Sequence, residues 1–202
     1  MNANPANGEE MNNALENMSR QELGRLFPII IHPYNPQWPE AFRQEKIVLE
    51  AAVGTDSIVR LSHIGSTSVP GLDAKPTVDI LLEIKQETDL EKLTQSVRTA
   101  GYLISAQPEN PPPHLMCMKG YTLAGFSSQA FHLHIRYPDD WDELYFRDYL
   151  RSHPQTATAY AALKYRLKDQ FEFDRDGYTN AKTDFIREVT ATARRAAALQ
   201  RE

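Results

Sequence analysis

One cysteine, Cys117, stands in 202 residues. A disulfide framework needs pairs and a thiolate metal site needs several ligands, so both are excluded and a reducing cytoplasm is expected. No apolar run approaches the ~20 residues of a membrane-spanning helix. The opening residues, MNANPANGEEMNNALEN, hold neither a basic region nor an apolar core and do not read as a secretory signal. Polar and rich in Asn, Glu and Pro, residues 1–18 read as a disordered tail. Positive charge is also short: 22 Lys and Arg face 27 Asp and Glu, a net charge of −5, so no strong nucleic-acid signal exists. The deficit is uneven. From Arg147 onward 11 basic residues face 8 acidic ones, leaving 11 against 19 before it. An acidic body with a mildly basic C-terminal part is suited to holding phosphates between them, although solvated helix faces produce the same pattern.

What is present is ordinary for a globular chain: 41% hydrophobic and 24% charged residues. Residues 19–202 read as a single domain. MSRQELGRLF (18–27) reads as a short helix and PIIIHPY (28–34) as a strand. A helix follows, with Asn35 as N-cap, Pro36 at its first position, and Trp38, Phe42, Leu49 and Val53 on one face. SIVRLSHIG (57–65) and PTVDILLEI (76–84) read as strands. Thr88 to Glu91 has the form of a capping box before a helix that stops at Gly101. YLIS reads as a short strand and the Pro-rich 107–115 as a loop. HLMCMKG and QAFHLHIRY read as strands around a turn near Gly125. From about 139 three helical stripes follow. The order predicts α+β: a mixed sheet with helices packed on it and a helical C-terminal part.

The chemistry concentrates in HIGSTSVPGLDAKPTVDILLEI, 63–84. A strand ends at Ile64 and turns at Gly65, where glycine lets successive N–H groups point one way and the Ser66, Thr67 and Ser68 hydroxyls stand near; such a turn cradles phosphate. Asp79 then interrupts an apolar strand, on the face of Leu81 and Glu83 and opposite Val78, Ile80 and Leu82. A carboxylate there needs a metal, water or a basic partner such as Lys75. In FHLHIRY, His132 and His134 share one face, a pair able to ligate a divalent metal. The pattern lacks the Ser or Thr that follows each histidine in two-histidine phosphodiesterases. Arg147 and Arg151, Lys164 and Lys168, and Tyr178 and Lys182 are each four apart on expected helices. Arg147 is suited either to a phosphate or to an internal salt bridge, and Tyr178 with Lys182 to a base and a phosphate.

PYNPQWPEAFRQE, HIGSTSVPGLDAKPTVDILL, HLHI, YFRDYLRSHP, YAALKYRL and YTNAKTDFI, in that order, resemble the GrpB family over about residues 25–190. The resemblance implies a nucleotidyltransferase-like fold. Such folds carry Gly-Ser in a turn, an acid-x-acid pair on the next strand and a third acid later. Gly65-Ser66 and Asp79 match; Leu81 replaces the second acid, and His132 and His134 stand where the third would be sought. Paired carboxylates hold two ions in a two-metal site, whereas one Asp and two His suit a single ion and shift preference from Mg²⁺ toward Mn²⁺ or Zn²⁺. The expectation is a metal-assisted nucleotide-binding protein or nucleotidyltransferase. Its nucleoside triphosphate would lie on Gly65, Ser66, Thr67, Ser68, Lys75, Arg147, Lys164, Tyr178 and Lys182. Its cation would lie on Asp79, His132 and His134, with Asp79 catalytic. A non-catalytic nucleotide sensor and a single-metal phosphohydrolase are the alternatives.

Overall fold

A computed structural model describes residues 10, 11, 13–15 and 17–200. Helices α1 (Arg20–Leu26), α2 (Trp38–Val53) and α3 (Leu90–Thr99) alternate with strands, and α4 (Asp142–Ser152), α5 (Pro154–Phe171), α6 (Arg175–Asn180) and α7 (Thr183–Leu199) close the chain. The strands are β1 (Ile58–Ile64), β2 (Thr77–Ile84), β3 (Leu103–Ala106), β4 (Leu115–Thr122) and β5 (Gly125–Arg136). They form one sheet in the order β1-β2-β5-β4-β3. β2 and β5 pair in parallel, and β1 with β2, β3 with β4 and β4 with β5 pair antiparallel. This is the expected α+β architecture.

Alternation along β2 and β5 explains the packing. Val78, Ile80 and Leu82 share a face with Phe131, Leu133 and Ile135, and Trp38 and Leu49 of α2 and Leu93 and Val97 of α3 cover it. Each such side chain contributes about 1.5–3 kcal/mol on burial. The opposite face carries Asp79 and both histidines. It is flanked by Phe27 packed with Leu103 and Tyr121 on one side, and by Leu150 and Tyr160 packed with Val69 and Leu72 on the other.

Local expectations fail where a competing contact wins. The tail read as disordered lies partly outside the described residues. Within them Leu15 is buried beside Phe27, with Met11 and Met18 packed against that cluster. Their spacing is helical, an apolar stripe hidden in a polar average. Residues 28–34 make one isolated bridge, His32 to Ala74, rather than a strand, since Pro28 and Pro33 donate no backbone hydrogen. Asn35 Oδ1 accepts from the Gln37 N–H at 2.9 Å, closing a turn ahead of α2, which begins at Trp38. Asp89, not Thr88, caps α3, accepting from Glu91 and Lys92 N–H groups. The last expected helix is split between α6 and α7, after the weak helix formers Gly177, Thr179 and Asn180.

Candidate functional site

Parallel pairing places Asp79 abreast of His132 and Leu81 abreast of His134. Alternation then puts Asp79 and both imidazoles on one face. His132 Nδ1 lies 3.1 Å from Asp79 Oδ1, and His134 Nε2 lies 3.9 Å from the same oxygen. One ligand atom from each residue falls within 4.8 Å of the others. Burial alone would raise the Asp79 pKa, but the hydrogen bond with His132 and the nearby His134 imidazole hold it well below the usual carboxylate range. Burial pushes the His132 pKa down against the opposing pull of Asp79. On the far side of that ring, Tyr121 Oη lies 2.7 Å from His132 Nε2. The hydroxyl either donates to Nε2 or accepts from it, so it orients the imidazole in either tautomer. The donor set and its spacing suit one divalent ion. Leu81, fully buried, supplies nothing for a second.

Gly65 adjoins the carboxylate. Its φ is +68°, and a Cβ there would lie 2.9 Å from Asp79 Cγ; only glycine meets both constraints. Beyond it, the short 3₁₀ turn Ser66–Ser68 corrects part of the expected phosphate cradle. The Thr67 hydroxyl donates to the Thr77 carbonyl at 3.1 Å, and Ser68 Oγ donates to the Gly65 carbonyl at 2.6 Å. Both residues are buried, because the tight turn directs their hydroxyls inward. With its hydrogen committed to Thr77, Thr67 Oγ1 accepts from His63 Nε2–H at 3.0 Å. Burial lowers the pKa of His63 to about 4. Arg147 is likewise engaged by the protein: it pairs with Asp148 and donates to the His63 carbonyl at 3.1 Å. Arg151 donates to the Ser68 carbonyl at 2.8 and 3.0 Å. These arginines fasten α4 to the turn.

Three lysines converge next to the triad. Lys164, 2% exposed, donates to the Asp73 carbonyl and lies 4.8 Å from the Tyr160 ring centroid. Lys182 and Lys75 lie 4.2 and 5.7 Å from the Tyr178 ring centroid. Burial depresses Lys75 to about 8, with Arg175 repelling it, and depresses Lys164 and Lys182 to about 7, with neighbouring lysines repelling them. The attraction of Asp79 partly offsets this at Lys75 and Lys182. Tyr178 is 0% exposed, so its ring has no free face on which to stack a base, and that expected role is corrected. Burial raises the Tyr160 pKa, and Ser66 beside it opposes that rise, which places the turn next to the lysine cluster.

Gly65, Ser66, Lys75, Lys164 and Lys182 therefore border the Asp79, His132 and His134 set. Tyr121, Tyr160 and Asp73 belong to the same neighbourhood and were not singled out from sequence. The one signal for Tyr121 was Gly120 beside it: φ is +87° there, and the β4–β5 register shifts between Lys119 and Tyr121. Lys119 pairs with Glu45 of α2 on the core face. The irregularity turns Tyr121 to the histidine face.

The chain matches a family model described as GrpB protein over residues 28–192. A UPF0157 protein of Pseudomonas aeruginosa is 34% identical over 167 residues, spanning 82% of this chain and 67% of that protein. The glutamate-rich protein GrpB of Alkalihalophilus pseudofirmus is 28% identical, with 80% of this chain and 93% of that one covered. The crystal structure of the conserved protein GrpB from Enterococcus faecalis superposes with a TM-score of 0.71 at 30% identity, covering 81% of this chain and 96% of that one.

Proposed function

We propose, for a chain that belongs to the GrpB family, that this site binds a nucleoside triphosphate with one divalent cation and transfers its nucleotidyl group to an acceptor. The observation that carries the reading is three partly or fully buried lysines beside an Asp–His–His set on one sheet face. Buried cations are costly unless an anion compensates them, and a polyphosphate would do so. Asp79, His132 and His134 would hold the cation, with Tyr121 fixing His132. A bound cation would supply charge neutralisation at the transferred phosphorus. Gly65 and Ser66 would position the phosphates and the lysines would stabilise departing pyrophosphate. The acceptor oxygen bonds to the α-phosphorus, the α–β bridge breaks with its electron pair on pyrophosphate, and the acceptor proton passes to solvent.

The buried Leu81, where a second carboxylate would serve a second ion, favours a non-catalytic nucleotide sensor as the other reading. Asp79→Asn separates them. Pyrophosphate release from the four triphosphates is screened with mixed small-molecule, protein and RNA acceptors. Release that vanishes in Asp79→Asn while nucleotide binding persists supports transfer; binding without release across the screen supports sensing. Binding of no triphosphate with Mg²⁺, Mn²⁺ or Zn²⁺ refutes both.

A further inference from the structure

The histidine face does not end at the triad. Across the sheet, Met118 is paired with His132 and Met116 with His134, and beyond them Leu103 is paired with Met118 and Ser105 with Met116. Paired residues point to the same side, so one row runs Asp79, His132, Met118, Leu103. Met118, Met116, Leu103 and Ser105 line a cavity of about 650 Å³, a size typical of small-molecule sites. Its opposite wall includes Phe27 and Leu15. Tyr121 joins the two spaces: its ring lines the cavity and its hydroxyl meets His132.

The charges differ between these spaces. Lys75 and Lys182 feel the Asp79 charge, and Lys75 is also close enough to Arg175 to be repelled by it. The cavity is bordered by two arginines, Arg20 and Arg175, and two aspartates, Asp174 and Asp176, which cancel. Arg20 pairs with Asp176 at 3.0 Å, and Asp174 Oδ1 accepts from the Gly177 N–H. Arg175 lies over the Phe27 and Tyr121 rings, 5.9 and 5.6 Å from their centroids. A space that is mainly apolar and neutral overall selects the uncharged part of a ligand. Gln107 Nε2 donates to Ser105 Oγ at 2.8 Å, which leaves the Ser105 hydroxyl hydrogen and the Gln107 amide oxygen for a ligand, and the methionines can adapt to a flat ring.

We infer that this cavity binds the base and ribose of the nucleotide whose phosphates lie at the lysines. The inference rests on the phosphate reading above and assigns the half of the ligand that Tyr178 cannot take. From β2 to β4 is two strand spacings, roughly 10 Å, about the reach of one nucleotide laid across β5.

Titration of ATP, GTP, CTP, UTP and inorganic tripolyphosphate, each with Mn²⁺, tests it. The proteins are wild type, Gln107→Ala and Met118→Trp, with thermal unfolding followed for each; if Met118→Trp does not fold, Ser105→Leu obstructs the cavity more mildly. At least one nucleoside triphosphate should bind wild type tenfold or more tighter than tripolyphosphate. That preference should collapse in at least one folded cavity variant, with tripolyphosphate affinity retained. Equal affinity of wild type for tripolyphosphate and all four nucleotides overturns the nucleoside site and leaves the phosphate site standing, as does a preference that survives every folded variant. Absence of binding by all five compounds overturns both.

Discussion

Anion binding at the lysine cluster should draw protons from solution. Burial, the largest cause, and repulsion from neighbouring cations hold Lys164 and Lys182 near 7 and Lys75, beside Arg175, near 8, against 10.5 for an ordinary lysine. At pH 8 an amine of pKa about 7 is protonated about one-tenth of the time, and one of pKa about 8 about half. A bound phosphate chain favours the charged form and raises all three values. Restoring them near 10.5 gives an uptake of up to about two protons per site. The sign follows directly: the complex holds more protons than the free protein, so affinity rises as pH falls from 10 toward 7. ATP is the suitable probe because its terminal phosphate, with a second pKa near ~6, is already ionised at pH 8. Omitting metal avoids proton release at the histidines. Calorimetric titration in two buffers of different ionisation enthalpy reads the uptake from the change in apparent heat. Lys182→Met should reduce it by nearly one proton. ATP binding with zero net exchange or with proton release, or an affinity flat between pH 7 and 9, would refute the reasoning.

Other perturbations address neighbouring parts of the site. Gly65→Ala forces a side chain onto a φ of +68° and against Asp79, so stability should fall by about 1–3 kcal/mol and Mn²⁺ binding should be lost; urea unfolding and metal titration at wild-type values would contradict this. Tyr121→Phe removes the 2.7 Å partner of His132 Nε2 and should weaken Mn²⁺ affinity about tenfold, an expectation that unchanged binding in calorimetry would reject. His63 stays neutral in the fold down to about 4, against 6.5 ordinarily, mainly through burial. The unfolded chain takes the proton first, so stability is full above 6.5 and falls by about 3 kcal/mol as pH drops to 4. His63→Gln, which can still donate to Thr67, should flatten that slope in urea unfolding, and an identical slope would exclude His63 as its source. His132→Ala and His134→Ala should each weaken Mn²⁺ and Zn²⁺ binding at least about tenfold in calorimetry; unchanged binding in both would remove the histidines from the site.

Much of the fold was legible because it depends on local periodicity. Alternation in TVDILLEI and FHLHIR separated Asp79, His132 and His134 from the apolar residues that α2 and α3 cover. A pleated strand imposes that period wherever it pairs. The same reading supplied Gly65 as the turn before the acid. What alternation does not encode is which strand lies beside which. His132 reaches Asp79 because β5 inserts in parallel between β2 and β4, closing a loop of dozens of residues that only the packed sheet repays. Burial is equally non-local. Thr67 and Ser68 looked like phosphate donors, but the protein takes their hydroxyls; Tyr178 looked like a stacking surface, but the lysines and the core enclose it. Tyr121 faces His132 only because of the irregularity at Gly120, and a one-residue change of register moves a side chain to the other face of a sheet. Sequence by itself determined the α+β order, the central strands and the alternation that sets Asp79 apart from its apolar neighbours and puts His132 and His134 on one face; tertiary structure decided which strands met, which way Tyr121 turned and which polar groups were left for a ligand, because those depend on long-range packing and desolvation rather than on the chain's local repeat.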